Sequence, residues 1–542
     1  MKNRGFKTLG VMIDLSRNAV MNVGALKRFL GVLAKMGYNC AMLYTEDTYE
    51  VEGEEYFGYM RGRYSMEELR ELDGYADSIG IELIPCIQTL AHVNAAIRWQ
   101  TFPTDCEDIM LVDDERTYEL IENMFKTVAK CFKSRRVHAG MDEALMLGRG
   151  KHLDKYGYED APSIMKRHLA RVKEIAEKYG FEMMIWSDMY FRPWVENHGY
   201  YVNERVELPR EVLRAYDPDI IPVYWDYYHR SESIYDAMIY NHKQLSERTW
   251  FAGGVWTWSG FMPNITYSYE TMLPAIRSCK KNGIDNVIFT LWGDCGGECS
   301  MFSALPGLHY LAEYSRGVTD EDKIKAKFKR LTGVEYDDFM MLERPNELHG
   351  VVYAKNGNRV NPSKYMLYSD VFLGYLDYTV SNGDGEYFAP LASELYAISK
   401  KSRTYGYLFK TAAKLCEVLS YKYELGKKTR RAYKAGDKDE LLRLAENDYR
   451  HAARLMREFG DVYEAQWHRD NKPHGFDVQD LRIGGATRRL EACRRRLADY
   501  ARGILDSIPE LEEEILPYPN ATEGKPIHLM AAEKIFTANV ME

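Results

Sequence analysis

Two acids stand side by side in the stretch VHAGMDEALMLGRG at residues 137–150. A short apolar run carrying His138 leads through a glycine and Met141 to Asp142 and Glu143. Two nearby carboxylates resist ionising together, so one tends to hold a proton near neutral pH while the other stays charged. An acid beside a carboxylate is what cleavage of a glycosidic bond needs. The pair alone decides little, because 81 acids in 542 residues give roughly 12 such neighbours by chance, and the surrounding pattern must carry the reading.

The elements that would position the pair are short apolar runs. Eight of them, at 9–15, 39–44, 81–87, 137–141, 182–186, 220–225, 251–256 and 286–292, read as strands. Most are continuous rather than alternating, as strands buried on both faces should be. Between them lie helical patterns, such as Val23, Leu26, Phe29, Leu30 and Leu33, and a second that opens with a Ser65-x-x-Glu68 capping box. Four helices end in a glycine close ahead of a strand, in KMGYNCAML, SIGIELIP, KYGFEMMIW and KNGIDNVIF. Glycine there takes the left-handed conformation cheaply and returns the chain to the sheet. Eight strands separated by helices predict a (β/α)8 TIM barrel over residues 1–314. Beyond it strand patterns fade, and amphipathic stretches at 391–424, 437–459 and 481–505 predict a mostly α-helical C-terminal domain over 315–542.

Barrel enzymes work at the C-terminal ends of their strands. Those ends lead to Arg17, then Glu46 and Asp47, then His92, then Asp142 and Glu143. The last four supply Trp186 and Asp188, then Tyr224, Trp225, Asp226 and Tyr227, then Trp256 and Trp258, and finally Trp292 and Asp294. Five of the nine tryptophans sit at these ends, where aromatic planes can stack on the C–H faces of a sugar ring. One such tryptophan alone would read as core filling; five at the same end favour a pocket. His92 alone would read as a core histidine, but beside Glu46, Asp47 and Glu143 it becomes a link in a proton relay. No H-x-H or H-x-x-x-H spacing supports a metal site, so neither a metal nor an organic cofactor is expected.

Composition excludes other classes. The net charge of −9 leaves no basic excess to neutralise phosphates, which argues against a general nucleic-acid binder. No apolar stretch approaches the length of a membrane span, and the run before Asp14 is too short for a signal segment. The nine scattered cysteines read as buried thiols in a reducing compartment, and a cytoplasmic location is expected.

The segment HAGMDE at 138–143 resembles the H-x-G-x-D-E signature of family 20 glycoside hydrolases, the β-N-acetylhexosaminidases. Other pieces agree in order. DLSR at 14–17 is similar to the D-x-x-R of the first strand, and GRYSMEEL at 62–69 to the G-R-Y-[ST]-x-E-E that follows the second. YWD at 224–226 resembles the family's Y-x-D, and LWGD at 291–294 its closing W-x-E. The resemblance covers about residues 5–310, and its specificity lies in the ordered combination.

That resemblance implies an exo-acting, retaining enzyme that releases terminal β-linked GlcNAc or GalNAc from an oligosaccharide or glycoconjugate. The sugar's own 2-acetamido carbonyl would attack the anomeric carbon and form an oxazolinium intermediate, with no nucleophile from the protein. It implies Glu143 as general acid and then base, and Asp142 as the group that orients the acetamido N–H. Tyr224 or Tyr227 would hydrogen-bond the acetamido carbonyl, and Trp186, Trp256 and Trp292 would wall the pocket. Arg17, Asp226 and Asp294 would read sugar hydroxyls, while Glu46 or Asp47 with His92 would tune Glu143. His138, Asp188, Trp225 and Trp258 complete the expected lining.

The departures are Met141 where the family usually has a second glycine, TED at 45–47 for its T-D-D, and Asp294 for a glutamate that Glu298 would replace. With strand 1 expected near residue 9, a short, divergent member without a preceding α/β domain is expected. Two alternatives stay open: a retaining glycosidase with two separate carboxylates, for example Glu143 and Asp226, and a sugar-binding protein without activity. The polar, aromatic stretch AQWHRDNKPHGFDVQDLRIGG at 465–485 is a candidate to close the active site of its own or a partner subunit, so a homodimer is among the expectations.

Overall fold

The computed structural model describes residues 5–106 and 108–541. Eight strands close into a barrel in chain order. They are β1 (Thr8–Asp14), β2 (Cys40–Tyr44), β3 (Glu82–Cys86), β4 (Arg136–His138), β5 (Glu182–Trp186), β6 (Ile221–Trp225), β7 (Trp250–Gly254) and β8 (Asn286–Leu291). β1 is parallel to both neighbours, pairing Gly10 with Cys40 on β2 and with Ile288 on β8, which completes the circle. This is the TIM barrel the apolar runs predict.

The local signals work through ordinary chemistry. Asn22 accepts a hydrogen bond from Ala25 N–H to open α1 (Val23–Met36), and Gly37 closes it at φ 93°, its N–H directed at the Leu33 and Ala34 carbonyls. Ser65 and Glu68 form the reciprocal capping box of α2 (Met66–Ser78).

Strand alternation then decides what faces inward. Met42 and Tyr44, Ile84 and Cys86, Met184 and Trp186, and Ile221 and Val223 share one buried cluster, with Trp225 and Trp292 packed against it. Burying each large apolar side chain of this kind contributes roughly 1.5–3 kcal/mol, so the register of every strand is firmly set. The inward rows continue past the strand ends, and the site is built on those continuations.

The chain divides into two compact units. The first comprises Met1–Val255, Ser268–Trp292 and Gly307–Asp320; the second comprises Trp256–Tyr267, Gly293–Pro306 and Glu321–Glu542. The second unit is helical and includes α3 (Phe388–Ser399), α4 (Gly406–Lys422), α5 (Arg450–Asp470) and α6 (Phe476–Ala501). The helix expected over 391–424 is therefore two helices. Between them Ser402 Oγ accepts a hydrogen bond from Tyr405 N–H in a turn that apolar spacing does not record. The stretch at 465–485 is mostly helix as well, since α5 runs to Asp470 and α6 starts at Phe476.

Among the described residues seven of the nine cysteines are buried, and no helix is long and apolar enough to cross a membrane.

Candidate active site

β4 stops at His138, short of the expected 141, and this resolves how two adjacent acids serve one pocket. The chain then turns through left-handed conformations at Gly140 (φ 73°), Met141 (φ 73°) and Glu143 (φ 53°), so strand alternation no longer sends neighbours to opposite faces. Gly140 is required twice over, because a Cβ there would stand 1.9 Å from Gln88 Oε1. Met141 holds the left-handed conformation with a side chain, and that side chain is fully buried. The conformation costs roughly 1–2 kcal/mol. Losing a buried methionine side chain costs about 2–5 kcal/mol, so packing outweighs strain. Glu46 (φ 48°) and His92 (φ 56°) share the left-handed region, a clustering of strained backbone typical of working sites.

Asp142 is held by two donors. Gln88 Nε2 donates to Oδ1 at 2.8 Å, and His92 Nε2 lies 3.3 Å from Oδ2. Burial would raise the Asp142 pKa, but the His92 charge and these hydrogen bonds overcome it and hold the carboxyl below its usual range. For His92 burial likewise opposes the charged form, yet Asp142 and then Glu46 push its pKa up to about 10. The sign of the linkage follows. The stabilisation of folded His92 is fully present below about pH 6.5 and is lost as pH rises through about 10. That of Asp142 is present above its unfolded pKa and is lost as pH falls through the lowered one. The ion pair therefore spans neutrality.

Gln88 is central to this arrangement. Its Nε2 also reaches the Tyr44 hydroxyl at 2.9 Å, and its Oε1 accepts from Met141 N–H at 3.1 Å. Sequence reasoning missed it because an uncharged amide drew no attention. The signal was the inward row Ile84–Cys86 extended by two.

Glu143 shifts the other way. Burial, then the charges of Asp142 and Asp188, raise its pKa, and His92 and Arg192 only partly oppose them. Arg192, also missed, bridges Glu143 Oε1 at 3.0 Å and Asp188 Oδ2 at 2.7 Å. Asp188 is fully buried and also accepts from Glu143 N–H at 3.1 Å, so it fixes both ends of the acid. Glu143 remains 44% exposed and lies 3.7 Å from His92 Nε2.

Around these acids Trp292 meets Tyr44 edge-on at 4.7 Å and lies 6.1 Å from Trp186, which packs on His138 at 4.4 Å. Burial pushes the His138 pKa down to about 3, so this ring is neutral, and its Nδ1 accepts from Gly140 N–H at 3.1 Å. Tyr227 stacks on Trp225 at 5.5 Å. Burial raises its phenol pKa well above the ordinary value, opposed by hydrogen bonds to Trp292 and Thr290 and reinforced by the charge of Asp142. Arg17 pairs with Glu46 at 2.5 Å, and Tyr44 donates to the same carboxylate oxygen at 3.1 Å.

Several expected residues are engaged elsewhere. Tyr224 alternates with Val223 and Trp225, so it faces away from the barrel interior, stacks on His242 at 4.6 Å and donates to Asp226 Oδ2 at 2.7 Å. Asp226 is fully buried; His229 Nδ1 also lies 2.7 Å from Oδ2, and Oδ1 accepts from Tyr228 and His229 N–H. Its acceptor capacity is spent within the protein, which leaves none for a sugar hydroxyl. Asp47 is buried against the Arg61 guanidinium at 3.2 Å, so Glu46 is the acid of that pair that faces His92. Trp256, Trp258, Asp294 and Glu298 belong to the second unit. There Trp256 stacks on Trp258 at 4.4 Å, Asp294 is partly buried, and Glu298 pairs with Lys364 at 2.8 Å and Arg482 at 3.2 Å. Among the described residues the one group with metal-ligand chemistry is Asp113, His152 and Glu159. It shares no residue with this pocket, and Arg167 already pairs with both its carboxylates at 2.8 and 2.7 Å.

Comparisons with known proteins bear on both parts of the chain. Residues 6–203 match the glycosyl hydrolase family 20 catalytic domain, and residues 337–530 match the glycoside hydrolase 20C C-terminal domain. The two matches together span more than half of the chain. The human protein Hexosaminidase D is 22% identical over 364 residues, 60% of this chain and 68% of that protein. Beta-hexosaminidase 3 of Arabidopsis thaliana is 23% identical over 211 residues, 34% of this chain and 37% of its own length. A solved family 20 exo β-N-acetylglucosaminidase from Vibrio harveyi in complex with N-acetylglucosamine aligns with a TM-score of 0.46 at 16% identity, over 62% of this chain and 58% of that one.

Two outcomes test this geometry. Replacing Gln88 with Met removes a donor to Asp142 and should move the acid limb of the kcat/KM profile upward by about one pH unit. An unchanged limb would show that the amide does not govern Asp142. Met141→Gly should lower stability to chemical denaturation by about 1–3 kcal/mol, because lost packing exceeds relieved strain. A variant as stable as the wild type would contradict that balance.

Proposed function

The chain belongs to glycosyl hydrolase family 20, and from that premise we propose that it is an exo-acting β-N-acetylhexosaminidase working by substrate assistance. The observation that carries the reading is the opposed poise of adjacent acids. Asp142 is held ionised by His92 and Gln88, while Glu143 is pushed towards its protonated form. One group is thus ready to accept an N–H, and the other to give up a proton.

With a terminal β-HexNAc bound, Asp142 accepts a hydrogen bond from the acetamido N–H and stabilises the positive charge that develops there. The acetamido carbonyl oxygen bonds to the anomeric carbon as the bond to the leaving oxygen breaks. Glu143 gives its proton to that oxygen. Glu143, now a carboxylate, takes a proton from water as the water attacks the anomeric carbon; the bond from that carbon to the acetamido oxygen breaks, the acetamido group is regenerated, and the sugar leaves with retained configuration. Tyr227 is better disposed than Tyr224 to hydrogen-bond the acetamido carbonyl, since it responds to the charge of Asp142 while Tyr224 is bonded to Asp226. Trp292 and Trp225 are partly exposed and supply stacking surface, whereas Trp186 is fully buried and packs behind them on His138; Arg17, held by Glu46, supplies donors for hydroxyls.

The two-carboxylate alternative of Glu143 with Asp226 loses support from the buried, fully engaged state of Asp226. The buried thiols of Cys40, Cys86, Cys279, Cys416 and Cys493 support a reducing, cytoplasmic setting.

Hydrolysis of aryl β-GlcNAc and β-GalNAc tests the proposal. Wild type should turn over at least one of them. Glu143→Gln and Asp142→Asn should each lose about a hundredfold or more in kcat. Undiminished turnover in either variant would overturn the roles assigned here. Sugar binding by wild type without turnover would favour a lectin-like protein.

A further inference from the structure

An aromatic corner lies on the loops that follow β2 and β3. Trp99 is 5.2 Å from Tyr59 with planes at 71°, and 5.9 Å from Tyr56 with planes at 35°. Tyr56 and Tyr59 are 5.9 Å apart at 75°. The rings therefore form a floor, Tyr56 and Trp99, and a wall, Tyr59. Tyr56 is 50% and Tyr59 40% exposed, so a large aromatic surface faces solvent. Such exposure is unfavourable unless something covers it.

The corner is pre-organised and tied to the catalytic side of the barrel. Between the two tyrosines Gly58 presses on the Asp47 backbone, where a Cβ would come within 2.0 Å of the carbonyl oxygen. Arg63 donates to the Phe57 and Glu55 carbonyls and braces the same loop. Asp47 adjoins Glu46, whose charge acts on His92, and His92 approaches Glu143. Trp99 follows His92 through the short helix Asn94–Ile97. Two and three residues after Glu143, Leu145 and Met146 are each 55% exposed, which adds apolar surface close to the acid in the chain.

We propose that Tyr56, Tyr59 and Trp99 form a subsite for the leaving group, and that the leaving group is itself a pyranose whose C–H face stacks on this corner. The occupant is argued from mixed chemistry. Phenol hydroxyls edge the rings, and the exposed Glu55, Arg98 and Gln100 flank them in sequence. A sugar offers an apolar face and a polar rim together, whereas a purely apolar partner would bury those charges unpaired. The subsite rests on the hexosaminidase reading, and its test separates the two.

The experiment compares two leaving groups on the same β-GlcNAc. One is trifluoroethanol, which has no ring; the other is a hexose, supplied as a set of β-GlcNAc-hexose disaccharides of different linkage. In Trp99→Ala and Tyr59→Ala the ratio of kcat/KM for the best disaccharide to that for the trifluoroethyl glycoside should fall about fivefold, and Trp99→Phe should restore most of it. An unchanged ratio would overturn the subsite. So would wild type that cleaves the trifluoroethyl glycoside but no disaccharide. A variant with an unchanged ratio and a smaller assembly by sedimentation would show the corner to be a contact between copies. Wild type inactive on every substrate would overturn the hexosaminidase reading itself, and the subsite with it.

Discussion

The ion pair between His92 and Asp142 is the interaction around which this site is organised. A carboxylate inside a barrel mouth would ordinarily take up a proton, because burial penalises its charge. Here a protonated imidazole and one amide donor reverse that preference. The consequence passes to the neighbouring residue. Because Asp142 keeps its charge, Glu143 finds it harder to ionise, and Asp188 adds to the effect. Two carboxyl groups thus acquire opposite charge preferences from their surroundings.

The barrel makes this inexpensive to hold. Inward rows set by the strand register deliver Tyr44, Gln88, Trp186 and Asp188 to the same mouth, each anchored by the buried residue two positions earlier. What the strands cannot do is present two consecutive residues to one pocket. The left-handed turn after β4 does that, with Gly140 making room for Gln88 and Met141 buried beneath. Strain in that turn is balanced by packing, so the acids sit on a rigid support rather than on a mobile loop.

Much of the fold was legible in the sequence, for identifiable reasons. Strands buried on both faces must be apolar throughout, and a helix that returns to a sheet needs a residue such as Gly37 at its end. The acids at 142–143 were legible as well, along with His92 and the tryptophans at 186 and 292. Errors arose where adjacent strand positions point to opposite faces. Tyr224 reads as a strand-end tyrosine, but its register turns it to the outer layer, where it donates to Asp226. Gln88 and Arg192 escaped because their roles are to hold other side chains, which no local spacing reveals. The assignment of Trp256, Trp258 and Glu298 to the helical unit depends on contacts far along the chain, such as Glu298 with Lys364 and Arg482.

If Asp142 stays charged in order to orient the substrate's own acetamido group, the oxazolinium ion is the intermediate the site is shaped to hold. Inhibition by a thiazoline analogue of that ion is the most direct measurement. The account predicts competitive inhibition with an inhibition constant well below the KM of the matching aryl glycoside, weakened at least tenfold by Asp142→Asn. No inhibition of an active wild-type enzyme, or the same inhibition in both proteins, would contradict it.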